Sequence, residues 1–230
     1  LYLKVIEALA LAIDAKDQVT HGHIRRVQRF AVGLAEALGV TEERQLRAIE
    51  AAALLHDMGK LAIPEFILNK PGKLTAREFS VMKTPAAVGA DLLSSIQFPY
   101  PVVPIVRHHH ENWDGSGYPD GIRGSDIPVG ARILSVVDCY DALTSDRPYR
   151  RAMSSVDALE ILAQRRGRPV GITMPFHTRH FGRHRVTKRR RGRFGRLVGV
   201  EPHSHVDLSR VVAVEGAEIV SDGNHRAKCR

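Results

Sequence analysis

The chain has 230 residues, 43% of them hydrophobic, which suffices for one domain with a buried core and an appendage. Its two cysteines, Cys139 and Cys229, do not suggest a disulfide framework, so we expect a reducing compartment, the cytoplasm. No apolar run approaches the roughly 20 residues that a membrane-spanning helix needs, and we expect no membrane segment in this sequence.

The net charge of +9 is unevenly distributed along the chain. Residues 165–230 hold 16 basic and 5 acidic side chains, a charge of +11, and the residues before them carry −2. A basic excess attracts nucleic acid or anionic lipid, so nucleic-acid binding is not expected except through this tail.

Residues 1–166 are predicted to form a succession of helices, and the expected fold class is all-α. Residues 1–20 show an amphipathic pattern, interrupted by charges, that is unlike a signal peptide. Because the chain begins at Leu1 rather than at a methionine, we expect it to be a piece of a longer protein.

The later helices are predicted by apolar residues at three- and four-residue intervals and by capping signals. Between 21 and 39 an apolar stripe that begins at Ile24 ends at Gly39, and Thr41 is a suitable N-cap for the next helix. Residues 75–78, Thr-Ala-Arg-Glu, are a capping box. Further helices are predicted from residue 85, over 105–111, over 128–145 and from residue 154, with loops at 64, 70–72 and 114–124.

The helical pattern stops near Gly167. Residues 167–230 are rich in Arg, Gly and His and lack the apolar period that would offset the entropy of ordering. We interpret this tail as irregular, either disordered or non-native such as an out-of-frame end, with a short strand at 211–220. The alternative is a basic arm, although the three phenylalanines of the tail, Phe176, Phe181 and Phe194, are too few to indicate base stacking.

A histidine and a carboxylate stand side by side at His56 and Asp57, where an apolar helix ends. Both side-chain types ligate divalent metals, and Lys60, one turn later, could reach a substrate phosphate. The alternative is a solvated helix end with Gly59 as its cap.

The run His108, His109, His110 and Glu111 is the second candidate site. Consecutive residues point in different directions around a helix, so two of these histidines and the acid can face one site but three cannot. A histidine-rich surface patch is the alternative. The adjoining Trp-Asp-Gly-Ser-Gly-Tyr-Pro loop favours metal binding.

Asp138 and Asp141 lie on one face of a predicted buried helix, because their spacing is i, i+3. Buried carboxylates need a partner, and a metal ion would supply one; a polar edge on an amphipathic helix is the alternative. Cys139 between them is expected in the core. His23 is a weak candidate by itself, and His21 a weaker one.

Nitrogen and oxygen ligands without thiolates favour divalent transition-metal ions, Fe, Mn or another, in a mixed His/carboxylate site. Two such ions close together generate hydroxide and neutralise a phosphoryl transition state. The basic side chains Lys60, Arg147 and Arg150 suit an anionic substrate.

Three segments together resemble the HD-GYP family of metal-dependent phosphohydrolases: 20–27, THGHIRRV; 54–79, LLHDMGKLAIPEFILNKPGKLTAREF; and 109–150, HHENWDGSGYPDGIRGSDIPVGARILSVVDCYDALTSDRPYR. The resemblance covers about residues 8–166. It implies an HD-superfamily helical domain, here 1–166, with a metal centre in its core. It also implies hydrolysis of cyclic di-GMP to linear pGpG, in some members to GMP, and an upstream sensory or receiver domain to which 1–20 would connect.

By this resemblance six residues are metal ligands. His56 and Asp57 hold the ions, with Asp57 bridging them; Asp138 completes the first site, and His109 and His110 serve the second. His23 matches a ligand of three-metal members. Those members also use a Glu one turn earlier, where this chain has Val19, so no full third site is expected.

The resemblance also assigns the substrate pocket. Asp57 and Lys60 are the expected catalytic residues, and Lys60, Arg147 and Arg150 match residues that hold the substrate phosphates. Tyr118, in the Gly-Tyr-Pro loop, is expected to shape the pocket.

Thr84 departs from the family pattern, which has a histidine ligand of the second metal there. A hydroxyl is a poor substitute, so we expect weak occupancy of the second site and reduced or absent hydrolysis. We do not expect His108 to compensate, since that requires a local reorganisation of its helix. The alternative function is a catalytically degenerate domain that binds cyclic di-GMP or a protein partner as a signalling module.

Overall fold

The computed structural model describes residues 22–146 and 151–164, together with residues 6, 8 and 10, whose backbone is helical. Within these ranges the α-helices, labelled in chain order, are α1 His23–Ala37, α2 Glu43–Leu55, α3 Glu65–Leu68, α4 Ala76–Met82, α5 Pro85–Ser94, α6 Val102–His108, α7 Val129–Thr144 and α8 Ser155–Gln164. Two 3-10 helices span Met58–Ala62 and Gly124–Asp126. The described residues contain no β-strand, which confirms the all-α prediction for them.

The helices α2 and α7 form the centre of the core. From Ala48 to Leu55 every residue of α2 except Glu50 is buried, and α7 buries side chains on most of its faces, Cys139 among them as predicted. A helix that is apolar almost all round must be covered by other elements. Here α1 packs against both central helices, α6 packs against both and against α5, and α8 packs against α7.

The 3-10 helix that follows α2 lies directly against the start of α5. A Cβ atom on Gly59 would lie 1.9 Å from the carbonyl oxygen of Pro85, so the close approach requires glycine. This contact places Thr84, the residue before Pro85, beside the segment that carries Asp57 and Lys60.

The helix ends show which capping predictions hold. The capping box at the start of α4 is confirmed: Glu78 N donates to Thr75 Oγ1 at 3.3 Å, and Thr75 N donates to Glu78 Oε2 at 2.7 Å. The N-cap prediction at Thr41 is wrong by one residue, because Glu42 precedes α2 and makes no side-chain cap bond. The predicted helix 105–111 begins earlier and ends at His108, so Glu111 lies in the loop that follows.

Several predictions fall outside the described residues. They concern His21, Val19, the phosphate-binding candidates Arg147 and Arg150, and the basic tail 167–230 with its strand at 211–220. The connector helix also lies outside, except for residues 6, 8 and 10.

Among the described helices none is long and apolar enough to cross a lipid bilayer.

Candidate metal centre

Four helices bring histidines and carboxylates to one place in the core. His23 opens α1, His56 follows the last residue of α2, His109 follows the last residue of α6, and Asp138 lies within α7. All three histidines are at most 2% exposed. His23, His56 and Asp138 each offer a ligand atom, and these atoms lie within 4.8 Å of one another.

Asp57 joins the same cluster from the chain immediately after His56. Its Oδ2 lies 3.4 Å from Nε2 of His56 and 3.9 Å from Nε2 of His23. Asp138 reaches the cluster from α7, with Oδ1 3.7 Å from Nε2 of His23 and 4.0 Å from Nε2 of His56. Four side chains from three distant parts of the sequence, residue 23, residues 56–57 and residue 138, therefore surround one small volume.

The imidazoles of His56 and His109 are held so that one ring nitrogen of each points into the cluster. Nδ1 of His56 lies 2.9 Å from the carbonyl oxygen of Ala53, and Nδ1 of His109 lies 2.6 Å from that of Val106. A carbonyl only accepts, so Nδ1 carries the hydrogen and donates, which leaves a lone pair on Nε2. Both Nε2 atoms are buried and have no hydrogen-bond partner among the described residues.

Unpartnered buried nitrogens are unfavourable unless they coordinate something. A divalent cation would satisfy both Nε2 atoms, and the neighbouring carboxylates would balance its charge. The donor set therefore fits a metal ion on the chemistry of the residues themselves.

Protonation states in the cluster suit metal binding. Burial raises the pKa of Asp57, but the charges of His56, Lys60 and His23 outweigh burial and hold that pKa well below its usual value. Burial, helped by His56, lowers the pKa of His109 to about 4, and burial with His109 lowers the pKa of His110 well below 6.5. At neutral pH the carboxylate is ionised and these two imidazoles are neutral, as ligands must be.

His110 extends the cluster toward the loop that carries Tyr118. Its ring centroid lies 3.9 Å from that of His109 and 5.0 Å from that of Tyr118. Burial, with the charges of Asp138 and Asp57, raises the pKa of Tyr118 above its ordinary value, so the phenol stays neutral. Lys83 Nζ lies over the Tyr118 ring, 5.7 Å from its centroid. Tyr118 is thus placed beside the histidines, where a pocket wall is expected.

Lys60 lies within the cluster rather than at its edge. Its Nζ donates to Asp57 Oδ2 at 2.8 Å, and its side chain is 14% exposed. A compact ammonium at this position adds positive charge beside the carboxylate and remains within reach of an anion that enters the site.

The side chains of His108 and Thr84 have their partners outside the cluster. Nδ1 of His108 lies 3.5 Å from Asp120 Oδ2 and 3.8 Å from Glu111 Oε1. That His108 does not compensate for Thr84 stays a prediction. Thr84 is exposed, and its hydroxyl donates to the carbonyl oxygen of Val81 at 2.8 Å.

Asp141 has protein partners where a metal partner was predicted. It is fully buried, and Arg26 and His23 both donate to its carboxylate. The i, i+3 spacing correctly placed Asp138 and Asp141 on one face, but it could not show that only Asp138 reaches the cluster. Arg26 carried no sequence signal beyond its position one turn after His23.

Glu111 has a structural role that the sequence did not indicate. Its Oε1 accepts hydrogen bonds from the backbone N–H groups of Asp120, at 2.7 Å, and Gly121, at 3.0 Å. Arg107 donates to both carboxylate oxygens of Asp120, at 2.7 and 2.9 Å. Glu111 and Arg107 together therefore hold the Asp120 end of the loop against the end of α6 and the residues that follow it. Gly117 passes against Asn112 so closely that a Cβ atom would lie 2.3 Å from the backbone nitrogen.

Comparison with known proteins shows the family of the chain. The family model described as HD domain matches residues 7–171. The chain belongs to the HD domain family. The resemblance inferred from the motifs and the HD-superfamily fold are thereby confirmed, and HD domains bind divalent metals, for which this cluster provides candidate ligands.

Curated relatives share extensive sequence with this HD domain. The cyclic di-GMP phosphodiesterase response regulator RpfG of Xanthomonas campestris is 47% identical over 167 residues, 72% of this chain and 44% of that protein. A 3'3'-cGAMP-specific phosphodiesterase of Vibrio cholerae is 37% identical over 167 residues, 72% of this chain and 32% of that protein. The chain thus spans less than half the length of these relatives.

Solved structures share the fold at lower identity. A cyclic GMP-AMP specific phosphodiesterase of Vibrio cholerae has a TM-score of 0.55 and 20% identity, covering 71% of this chain and 44% of that one. An HDGYP protein from Bdellovibrio bacteriovorus has a TM-score of 0.51 and 22% identity, covering 71% of this chain and 54% of that one.

Proposed function

We propose that this HD domain is a metal-dependent phosphodiesterase that hydrolyses cyclic di-GMP to linear pGpG, with GMP as the product if a second cleavage follows. The observation that carries the proposal is the pair of buried, unpartnered Nε2 atoms of His56 and His109 beside the carboxylates of Asp57 and Asp138. The similarity to a cyclic di-GMP phosphodiesterase at 47% identity supports the choice of reaction.

The residues that would hold two divalent transition-metal ions, Fe or Mn, form two groups. The first group is His23, His56, Asp57 and Asp138. The second is His109 and His110 with Asp57 shared. When bound, such ions supply positive charge that neutralises a phosphoryl transition state and they acidify water.

The chain's own side chains prepare the site for an anionic substrate. Lys60, held at 2.8 Å by Asp57, would donate to a phosphate oxygen, and Asp57 keeps that ammonium oriented. Tyr118, neutral and beside His110, would border a base or ribose. Arg147 and Arg150, outside the described residues, would bind the second phosphate.

Thr84 favours a second candidate function, a domain that binds cyclic di-GMP or a protein partner without turnover. Its hydroxyl donates a hydrogen bond to the carbonyl oxygen of Val81, and its side chain is exposed. A second metal would then be held by His109, His110 and Asp57 alone, which favours weak occupancy. A substrate that binds but is not cleaved would distinguish this function from the first.

The test is hydrolysis by the full chain, loaded with Mn(II) or Fe(II), of cyclic di-GMP and of 3'3'-cGAMP, with products separated by chromatography and metals counted by elemental analysis. We expect pGpG from cyclic di-GMP, and loss of product in Asp57→Asn, with Asp126→Asn in the exposed 3-10 turn as the matched control. Faster hydrolysis of 3'3'-cGAMP than of cyclic di-GMP would identify 3'3'-cGAMP as the substrate instead. Binding of cyclic di-GMP without product would establish the second function.

We propose also that residues 1–166 form the catalytic domain, that 167–230 are an irregular tail, and that a receiver or sensory domain precedes Leu1 in the whole protein. The response-regulator name of the Xanthomonas relative, of which this chain spans 44%, supports the last point. Cytoplasmic location is proposed because two cysteines in a chain of 230 residues do not suggest a disulfide framework.

A further inference from the structure

We propose that Asp141, held by Arg26, is a positioning residue that fixes the ring of His23 so that His23 Nε2 becomes a ligand atom of the metal centre. This inference rests on the proposed function only in taking the cluster as the place where metal ions bind. It assigns a role to two residues, on α7 and α1, that do not themselves line the cluster.

The hydrogen bond between Asp141 and His23 determines the tautomer of the ring. Asp141 Oδ2 lies 2.7 Å from His23 Nδ1, and the Asp141 side chain is 0% exposed. An ionised carboxylate only accepts hydrogen bonds, so Nδ1 carries a proton and donates it. When the neutral ring binds a metal, the lone pair is therefore on Nε2.

Nε2 of His23 is directed at the two carboxylates that would hold the ion. It lies 3.7 Å from Asp138 Oδ1 and 3.9 Å from Asp57 Oδ2. Two ligand atoms that each lie about 2.0–2.2 Å from one ion are roughly 3–4 Å apart. The separations observed here are therefore those of ligands that share an ion, and they depend on the ring staying in this orientation.

Arg26 holds the carboxylate in place. Its Nε donates to Asp141 Oδ1, and its Nη2 donates to Asp141 Oδ2 at 3.1 Å and to Ser145 Oγ at 3.0 Å. A buried carboxylate is expensive without such a partner, and the two-point contact restricts rotation of the group. Because Arg26 lies one turn after His23 on α1, the clamp also ties the start of α1 to α7.

His23 differs in this respect from the other two buried histidines. His56 and His109 donate through Nδ1 to backbone carbonyls, whose positions are fixed by their own helices. His23 donates to a side chain 118 residues away. A carboxylate partner makes an imidazole a stronger ligand, and it can be removed by one substitution without changing a ligand.

The experiment measures Mn(II) affinity of the full chain by competition with a chelator. Asp141→Asn preserves size, and we expect an affinity loss of about 10- to 100-fold, similar to that of His23→Gln. The double variant should lose no more than either single one, because both remove the same ligand. Asp126→Asn is the matched control and should bind as the unaltered chain does.

A second readout follows the ring itself. Long-range proton–nitrogen NMR correlations of the metal-free chain, with His23→Gln for assignment, report whether Nδ1 is protonated. We expect a protonated Nδ1 in the unaltered chain and a changed pattern in Asp141→Asn. Unchanged Mn(II) affinity in Asp141→Asn, or additive losses in the double variant, would overturn the proposal.

Folding of the variants is checked by far-ultraviolet circular dichroism and thermal unfolding. Arg26 is 29% exposed, so Arg26→Gln tests the same clamp if Asp141→Asn does not fold. A smaller loss of Mn(II) affinity is expected, and an unchanged affinity there would overturn the role of the pair. Metal binding that responds to these variants without hydrolysis of cyclic di-GMP would reject the proposed function alone.

Discussion

The carbonyl oxygen of Pro85 occupies the space where a side chain at Gly59 would begin, 1.9 Å from the position of a Cβ atom. The contact joins the segment after His56 and Asp57 to the start of α5. Replacement by any other residue must separate the two elements, because neither partner atom belongs to a flexible side chain.

Gly59→Ala is therefore expected to destabilise the chain by about 1–3 kcal/mol and to weaken metal binding. The measurement is chemical denaturation together with metal content. The matched control is Gly33→Ala, since Gly33 lies within α1 with no atom within 4 Å of its added Cβ. Helix propensity should make that control about 0.5–1 kcal/mol more stable, so equal destabilisation of both variants would contradict the packing argument.

Thr84→His is expected to raise metal content toward two ions per chain. The substitution introduces an imidazole next to Pro85, which the Gly59–Pro85 contact holds against the segment that follows Asp57. One additional ligand should increase affinity at the second site, with hydrolysis of cyclic di-GMP increased about 10-fold or more. Elemental analysis and product chromatography measure the two effects.

The control for Thr84→His is Thr41→His, which adds a histidine at an exposed position before α2. It should leave both quantities unchanged. An unaltered chain that already holds two ions and is not improved by Thr84→His would show that threonine is tolerated.

Glu111→Ala is expected to loosen the loop that carries Tyr118 and Asp120. The variant removes the acceptor of the Asp120 and Gly121 N–H groups. Because both residues are exposed and water can replace the acceptor, the expected cost is about 0.5–1.5 kcal/mol for each hydrogen bond. Glu111→Gln retains a carbonyl oxygen and should lose less. Because the loop carries Tyr118, the KM for cyclic di-GMP should rise more than kcat falls.

Denaturation and steady-state kinetics of both Glu111 variants test this, with Glu36→Ala on the exposed face of α1 as the control. An unchanged KM in Glu111→Ala would show that the loop does not border the substrate.

The metal-free chain is expected to be most stable near pH 6.5. The folded-state pKa of His109 is lowered to about 4 by burial, so its contribution is complete above 6.5 and is lost as the pH falls toward 4, by about 3 kcal/mol. His110, also lowered by burial, acts in the same direction.

His23 limits the stability of the metal-free chain on the alkaline side. Burial lowers its pKa, but the hydrogen bond to Asp141 and the charges of Asp138 and Asp57 outweigh burial and raise it above 6.5. Its contribution is complete below 6.5 and is lost as the pH rises through the folded-state pKa.

Denaturant midpoints of the metal-free chain between pH 4.5 and 8.5 measure both limits. His109→Asn should flatten the acid side and His23→Gln the alkaline side. A stability that rises steadily over the whole range would contradict the role given to His23.

Most helix positions could be predicted because their signals are local. The capping box at Thr75 and the apolar spacing of α7 involve residues within one or two turns, and the structure agrees with both. The start of α2 was misplaced by one residue since Thr41 and Glu42 are both acceptable flanking residues, and packing decides between them.

The sequence by itself determined the chemical inventory of the centre: adjacent His56 and Asp57, the histidine run ending α6, Asp138, and the threonine at position 84. Only the tertiary structure decided how they are used. It placed Asp138 beside His23 and His56 and Asp141 beside Arg26. It placed the Glu111 carboxylate against the backbone of the following loop, and His108 beside Asp120. The physical reason is that helical spacing fixes which residues share a face, whereas the partner across that face depends on how α1, α2, α6 and α7 pack.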